Sequence, residues 1–339
     1  MTYPYFTKGL PGAGRSRRAE DIPTLDRSRM EDPASYVPHK DLSHAVNVAL
    51  VLGMPLLVTG EPGTGKTQLA YAVASDLGCP AHKFETKSTS VSRDLFYSFD
   101  AVTSFKMRDI ADQRHFIRYQ ALGRAILDAF PADQPNVARL LPPPGITDYK
   151  HQGPRRSVVL IDEIDKAPRD FPNDLLNEIE RLYFRVSELQ NAGSPGAEPG
   201  EGGLNPRYRP IVIMTSNSEK GLPDPFLRRC VYFDIPFPTD EEMREIVAGR
   251  LAGIGKADPL LTEAVDLFYR LRHGKHETNL RKEPSTAELL NWLQILMHRG
   301  VPPGQPLKSN KQLVQETLST LIKNTDDRRE ASEFVQNRW

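Results

Sequence analysis

Eight residues constrain this chain most: Gly60-Glu61-Pro62-Gly63-Thr64-Gly65-Lys66-Thr67, set between an apolar run and an amphipathic one. The run before it, Pro55-Leu-Leu-Val-Thr59, is short and apolar and suits a strand buried on both faces. After it, Leu69, Ala70, Val73, Ala74 and Leu77 share one helical face, and Gly78 supplies a C-terminal cap. Strand, glycine-rich turn and helix in that order match the pattern G-x-x-x-x-G-K-[ST] in its required context. Glycines let the backbone curl until several N–H groups point inward, and the following helix adds the positive end of its dipole. The expected ligand is a nucleoside triphosphate: Gly60 to Thr67, with Gln68 of the first helical turn, would cradle it, and Lys66 would neutralise its β- and γ-phosphates. Thr67 would offer a hydroxyl to Mg²⁺.

A second apolar run, Ser157–Ile161, ends in two carboxylates, Asp162 and Glu163. In a parallel sheet the strand C-termini line the ligand crevice, so Asp162 is expected to hold Mg²⁺ through a water and Glu163 to orient or deprotonate the attacking water. Asp165 and Lys166 read as a local structural pair. A third run, Ile211-Val-Ile-Met-Thr215, turns polar at Ser216-Asn217. The Asn217 amide either holds the lytic water or reads the γ-phosphate, or it simply begins a turn.

Apolar runs alternating with helical patterns imply a mostly parallel sheet covered by helices. A strand-like run also spans Ala81–Thr86. Residues 131–156 read as a Pro-rich loop and 191–206 as a flexible hairpin tip. Pro172 sits in a first helical turn, with Leu175, Leu176, Ile179 and Leu182 as the core face. From about residue 239 the pattern is helical. Thr239 with Glu242 and Ser285 with Glu288 fit capping boxes, the second ahead of Leu289, Trp292, Leu293, Leu296 and Met297. The expected division is an extended, partly disordered arm over 1–35, an α/β nucleotide-binding domain over 36–237, a helical lid over 238–300 and a helical extension over 301–339.

The three motifs in this order resemble AAA+ ATPases, and the finer text resembles the MoxR branch. The matching stretches are Ala45–Leu50, Leu57–Thr67, Leu160–Ala167 and Leu222-Pro-Asp-Pro-Phe-Leu-Arg-Arg229. The resemblance implies a P-loop NTPase fold of the AAA+ kind, a parallel α/β sheet flanked by helices with a smaller C-terminal α-helical lid. It implies ATP as substrate with Mg²⁺, hydrolysis to ADP and phosphate, and Asn217 as the sensor 1 residue. Arg229, less surely Arg228, matches the arginine finger that reaches a neighbouring subunit's ATP; surface ion pairing is the alternative. Family likeness further implies a homo-oligomer, usually a hexameric ring, that remodels or assembles a client, and a partner bearing a von Willebrand factor A domain. Residues 93–120, with Phe96, Tyr97, Phe99, Phe105 and Phe116, are either the family's insertion or local core. Tyr36 and Val37 either line the adenine pocket or staple the first helix. One departure stands out. Ala287 occupies the position where such chains carry a sensor 2 arginine; Arg281 or Lys282 substitutes for it, or is a solvated charge.

The rest of the sequence narrows the alternatives. Lys+Arg and Asp+Glu are both 44, so no net field draws the chain to nucleic acid or to an anionic membrane. The two cysteines, Cys79 and Cys230, have no metal-ligand spacing, and the scattered histidines accompany no nucleophile motif. No apolar run approaches the roughly 20 residues that cross a bilayer, and residues 1–23 lack a secretory h-region, so a cytoplasmic protein is expected. Three functions remain in play: a mechanochemical ATPase, a slow ATP-gated scaffold or switch in a bacterial signalling or conflict system, and, against the charge balance, a nucleic-acid motor.

Overall fold

The computed structural model describes residues 22, 24–107, 109–143, 149–181, 183–189, 208–218, 221–273 and 280–339. In chain order the helices and strands are α1 (Ser28–Glu31), α2 (Lys40–Leu52), β1 (Leu56–Gly60), α3 (Lys66–Asp76), β2 (Ala81–Glu85), β3 (Tyr97–Phe99), α4 (Ala101–Lys106), β4 (Ile117–Tyr119), α5 (Ala121–Leu127), α6 (Pro135–Leu140), β5 (Val158–Asp162), α7 (Phe171–Arg181), β6 (Ile211–Thr215), α8 (Asp224–Leu227), β7 (Val231–Ile235), α9 (Asp240–Arg250), α10 (Pro259–His273), α11 (Thr286–His298), α12 (Lys311–Thr317) and α13 (Thr325–Asn337). They fall into two compact units, one over Pro38–Phe237 and one joining the described part of 1–37 to Pro238–Trp339. Among the described residues no helix is long and apolar enough to cross a membrane.

The first unit is a five-stranded parallel sheet in the order β2-β5-β6-β1-β7, flanked by helices. Position in the sheet explains each strand's composition. β5 is buried along its whole length and β1 and β6 nearly so, as an interior strand covered on both faces must be. The edge strands β2 and β7 mix exposed and covered residues, with Lys83, Glu85, Tyr232 and Asp234 outward. One core gathers Leu57, Val159, Ile161 and Met214 from the sheet with Leu122, Ile126, Leu175, Ile179 and Phe226 from helices.

The stretch between β2 and β5 holds more structure than its sequence announces. β3 and β4 form a small antiparallel pair, Tyr97 opposite Tyr119. Phe96, Tyr97 and Phe116 are buried and Phe99 packs against the core, so local core accounts for four of the five aromatics; Phe105 is exposed. The Pro-rich loop contains α6, with Pro135 in its first turn, where no N–H is required. Leu175 and Ile179 take their core positions; the side chains of Leu176 and Leu182 and the segment 191–206 lie outside the described residues.

In the second unit both capping boxes form. Thr239 N donates to Glu242 Oε2 (2.8 Å) and Glu242 N to Thr239 Oγ1 (3.4 Å), and Ser285 N donates to Glu288 Oε2 (2.7 Å). The C-terminal residues belong to this unit: Trp292 Nε1 donates to Thr317 Oγ1 (2.9 Å), and the buried Asp327 accepts from the backbone N–H groups of Arg281 and Lys282 at 3.0 Å each. The described residues before Pro38 also fold against it, unlike the extended arm the sequence suggests. Arg29 Nε donates to Gly249 O (2.9 Å), Arg250 Nη1 donates to Met30 O, and the Arg250 guanidinium lies 5.8 Å from the Tyr36 ring centroid. A single turn at α1 and a proline-led 3₁₀ turn at Pro33–Ser35 leave no periodicity to read; contacts distant in sequence order them.

Candidate nucleotide site

The loop after β1 has the curled backbone its glycines allow. Gly60, Gly63 and Gly65 have φ of 137°, 83° and 92°. A Cβ on Gly60 would stand 2.8 Å from Ile235 O, so β7 leaves room for hydrogen only. Thr64 Oγ1 donates to Glu61 O (2.8 Å) and closes the turn. Glu61, Pro62 and Gly63 form the exposed rim. Lys66 opens α3 and is 8% exposed; its Nζ donates to Gly60 O (2.6 Å) and Glu61 O (2.9 Å). Burial pushes the Lys66 ammonium's pKa down, and Asp165, Asp162, Asp234 and Glu163 act against that shift. Gln68 follows in the first turn of the 11-residue α3, whose N-terminal N–H groups face the loop.

The carboxylates meet this loop from across a gap. They stand at the end of β5, and β6 lies between β5 and β1. Thr215, at the end of β6, fills the gap. Its Oγ1 donates to Asp162 Oδ1 (2.7 Å) and accepts from Glu163 N (2.9 Å). Thr67 Oγ1 reaches the same Asp162 Oδ1 at 2.9 Å, so α3 and β5 touch at the two residues expected to share a metal. The other oxygen, Oδ2, pairs with Lys83 Nζ at 2.9 Å. Asp162 is buried, which pushes its pKa up, yet the bonds from Lys83, Thr215 and Thr67 outweigh burial and hold it below the ordinary carboxylate value.

Glu163 is the one non-glycine residue at positive φ (57°) among the described residues. A side chain in this conformation costs about 1–3 kcal/mol and persists where surroundings over-determine it; here the Thr215 bond and an ion pair from Lys166 do so. Asp165 accepts from Asn217, from its N and its Nδ2, both at 3.4 Å. Asp165 and Lys166 therefore do not pair with each other as their adjacency suggests; they tether Asn217 and Glu163.

Arg228 and Arg229 stand elsewhere. Arg229 precedes β7, whose first residue donates from Val231 N to Pro55 O, at the start of β1 rather than its end. The length of β1, about 16 Å at roughly 3.3 Å per residue, separates this pair from its own glycine loop. Both line a cavity of about 670 Å³ with Arg156, Arg209, Glu180 and Met54, and Arg229 Nε lies 3.6 Å from Glu180 Oε1.

Lys83 and Thr215 are contributors that sequence reasoning missed as site residues. Thr215 reads only as the last residue of a strand, and Lys83 only as a charge within one; both signals become legible once the strand order puts β2 and β6 on either side of β5.

Magnesium is a hard cation that keeps several waters and takes one or two protein oxygens beside phosphate oxygens. A hydroxyl and an ionised carboxylate 2.9 Å apart, at the N-terminus of the helix that follows the glycine loop, fit that requirement. The described residues contain no cluster of three or more His, Cys, Asp or Glu able to hold a metal unaided.

Among solved structures, a single-substitution variant of Thermotoga maritima RuvB matches with 18% identity, covering 85% of this chain and 69% of that one, at a TM-score of 0.44. The Thermotoga maritima RuvB Holliday junction branch migration motor matches with 17% identity over the same shares, also at 0.44. Likeness of this degree carries no inference about what the present chain acts on. No curated protein matches. The family described as "ATPase family associated with various cellular activities (AAA)" matches residues 56–238. That is more than half of the 339 residues, and the chain belongs to the AAA ATPase family.

Proposed function

We propose that this chain binds ATP with Mg²⁺ between Gly60–Gln68 and Asp162, hydrolyses it, and works as a MoxR-like hexameric ring that remodels or assembles a client protein. The observation that carries the nucleotide assignment is the contact of Thr67 with Asp162 beside the buried Lys66. Lys66 would exchange the carbonyls of Gly60 and Glu61 for phosphate oxygens. The α3 N–H groups would bind the phosphates, and Thr67 with Asp162 would hold the metal, which when bound neutralises charge on the β- and γ-phosphates. Glu163 would accept the proton of the attacking water once Lys166 releases it, and Asn217 would orient that water.

Support for a ring comes from Arg229 and Arg228, which lie a strand's length from their own glycine loop, so that a finger role for either would be toward a neighbour's nucleotide. The division into a nucleotide-binding domain over 36–237, a lid over 238–300 and an extension over 301–339, and a partner with a von Willebrand factor A domain, belong to the same proposal. A slow ATP-gated switch is the second possibility, favoured by the ion pair that occupies Glu163 and by Ala287 at the sensor 2 position. The two differ in turnover: a motor hydrolyses steadily, whereas a switch oligomerises with ATP and turns over slowly. Lys66→Ala should abolish ATP binding, and Glu163→Gln should retain ATP and stall hydrolysis. Full ATPase activity in Glu163→Gln would refute the role given to Glu163.

A further inference from the structure

Asp162 has two oxygens with different neighbours. Oδ1 receives hydroxyls from Thr67 and Thr215, and Oδ2 receives the ammonium of Lys83. Lys83 comes from β2, the strand beside β5, where it is in register with Leu160, two residues before Asp162 on the same face. A lysine stem spans that diagonal, so the pair follows from the register. The aspartate side chain is 7% exposed and that of Lys83 35%, which keeps the ion pair from being screened as a surface pair would be.

This pairing bears on how a metal enters. A hydrated divalent ion is drawn to net negative charge, and the ammonium at Oδ2 cancels the charge of the carboxylate that touches Thr67. Nearby, Lys166 does the same for Glu163, and Lys66 sits in the field of Asp162, Glu163, Asp165 and Asp234. A triphosphate brings its own negative charge, so the site becomes attractive to the ion when nucleotide is present.

We propose that Lys83 is a positioning residue that fixes Asp162 with Oδ1 toward Thr67 and, by neutralising Oδ2, makes divalent-cation binding depend on the nucleotide. The proposal rests on Asp162 being the metal-holding carboxylate. Lys83 touches neither substrate nor metal in it; it acts through Asp162. Removing the ammonium should raise the affinity of the nucleotide-free protein for the free ion, an effect opposite to that of a merely structural lysine, whose loss would disorder the site and weaken binding.

The test is a Mn²⁺ titration of the purified full chain followed by electron paramagnetic resonance, with and without ATPγS, alongside thermal melting to verify folding. Without nucleotide, Lys83→Met should bind Mn²⁺ at least about tenfold more tightly than the unsubstituted protein, as loss of a unit charge a few ångströms from a divalent ion requires. Lys83→Arg, which keeps the charge, should match the unsubstituted protein, and Lys83→Gln provides the same measurement if the methionine variant does not fold. The gain should vanish in Lys83→Met/Asp162→Asn. Unchanged or weaker Mn²⁺ binding in folded Lys83→Met or Lys83→Gln, or a gain that survives Asp162→Asn, overturns the proposal. Failure of the underlying metal assignment looks different: Asp162→Asn alone would then leave Mn²⁺ binding in the presence of ATPγS unchanged.

Discussion

Replacing Thr215 with valine removes one hydroxyl and little volume, and that hydroxyl joins the two carboxylate residues of the site. Thr215 is 1% exposed; it donates to Asp162 Oδ1 at 2.7 Å and accepts from Glu163 N at 2.9 Å. The bond to an ionised carboxylate contributes about 1.5–3 kcal/mol, and leaving a shielded N–H without its acceptor costs about 1–3 kcal/mol. Asp162 keeps Thr67 and Lys83, and Glu163 relieves part of the loss by leaving its positive φ, so a net destabilisation of about 2–4 kcal/mol is expected. That same relief displaces the Glu163 side chain. A shift of about 1 Å at a catalytic group lowers turnover by roughly 100-fold. The glycine loop and Lys66 make no bond to Thr215, so nucleotide affinity should stay within about threefold, a change below about 1 kcal/mol. Urea denaturation, steady-state ATPase assays and fluorescent-ADP binding measure the three quantities, and Thr215→Ser, which restores the hydroxyl, should return all of them toward the starting values. Thr215→Val with unchanged turnover and stability would refute the role assigned to this hydroxyl.

Other consequences are checked more briefly. Gly60→Ala should lose ADP-induced thermal stabilisation, because its Cβ would meet Ile235 O at 2.8 Å at a φ of 137°; a normal ADP shift would contradict the close packing of β7 on the loop. Arg229→Ala should bind ATP but hydrolyse it slowly, and mixing it with Glu163→Gln should recover part of the activity that each lacks alone, since a mixed assembly contains some intact composite sites. Activity no greater than the sum of the separate variants would argue against action in trans. Asp162 is held below its unfolded value of about 3.9. Its contribution to stability is therefore complete above that pH and is lost as pH falls through the lower folded value; urea denaturation from pH 6 downward, at about half-unit steps, should show this acid-side loss reduced in Asp162→Asn.

The residues legible from sequence are those whose environment is set locally or by full burial. β1, β5 and β6 announce themselves because interior parallel strands need apolar residues on both faces, and the glycine loop because its backbone requires those residue types. β3 and β4 are three residues each, too short for a period, and α6 hides behind its own proline. The packing of Arg29 and Tyr36 against α9 depends on contacts more than two hundred residues away. At the site, Gly60–Thr67, Asp162 and Glu163 are readable from their own segments. The partners that hold them are not, because Lys83 and Thr215 reach Asp162 only through a strand order that puts β2 and β6 beside β5. The location of Arg229 likewise follows from the register of β7 on β1.

The central claim is that one metal–nucleotide complex lies between the glycine loop and Asp162. A crystal structure with ATPγS and Mn²⁺, the metal located by its anomalous scattering, tests it most directly. The expected result has the phosphates within the Gly60–Thr67 loop, Lys66 Nζ on phosphate oxygens, and the metal bound to Thr67 Oγ1 with Asp162 Oδ1 among its inner or water-bridged contacts. Nucleotide bound at another place, or a metal out of reach of both Thr67 and Asp162, would contradict it.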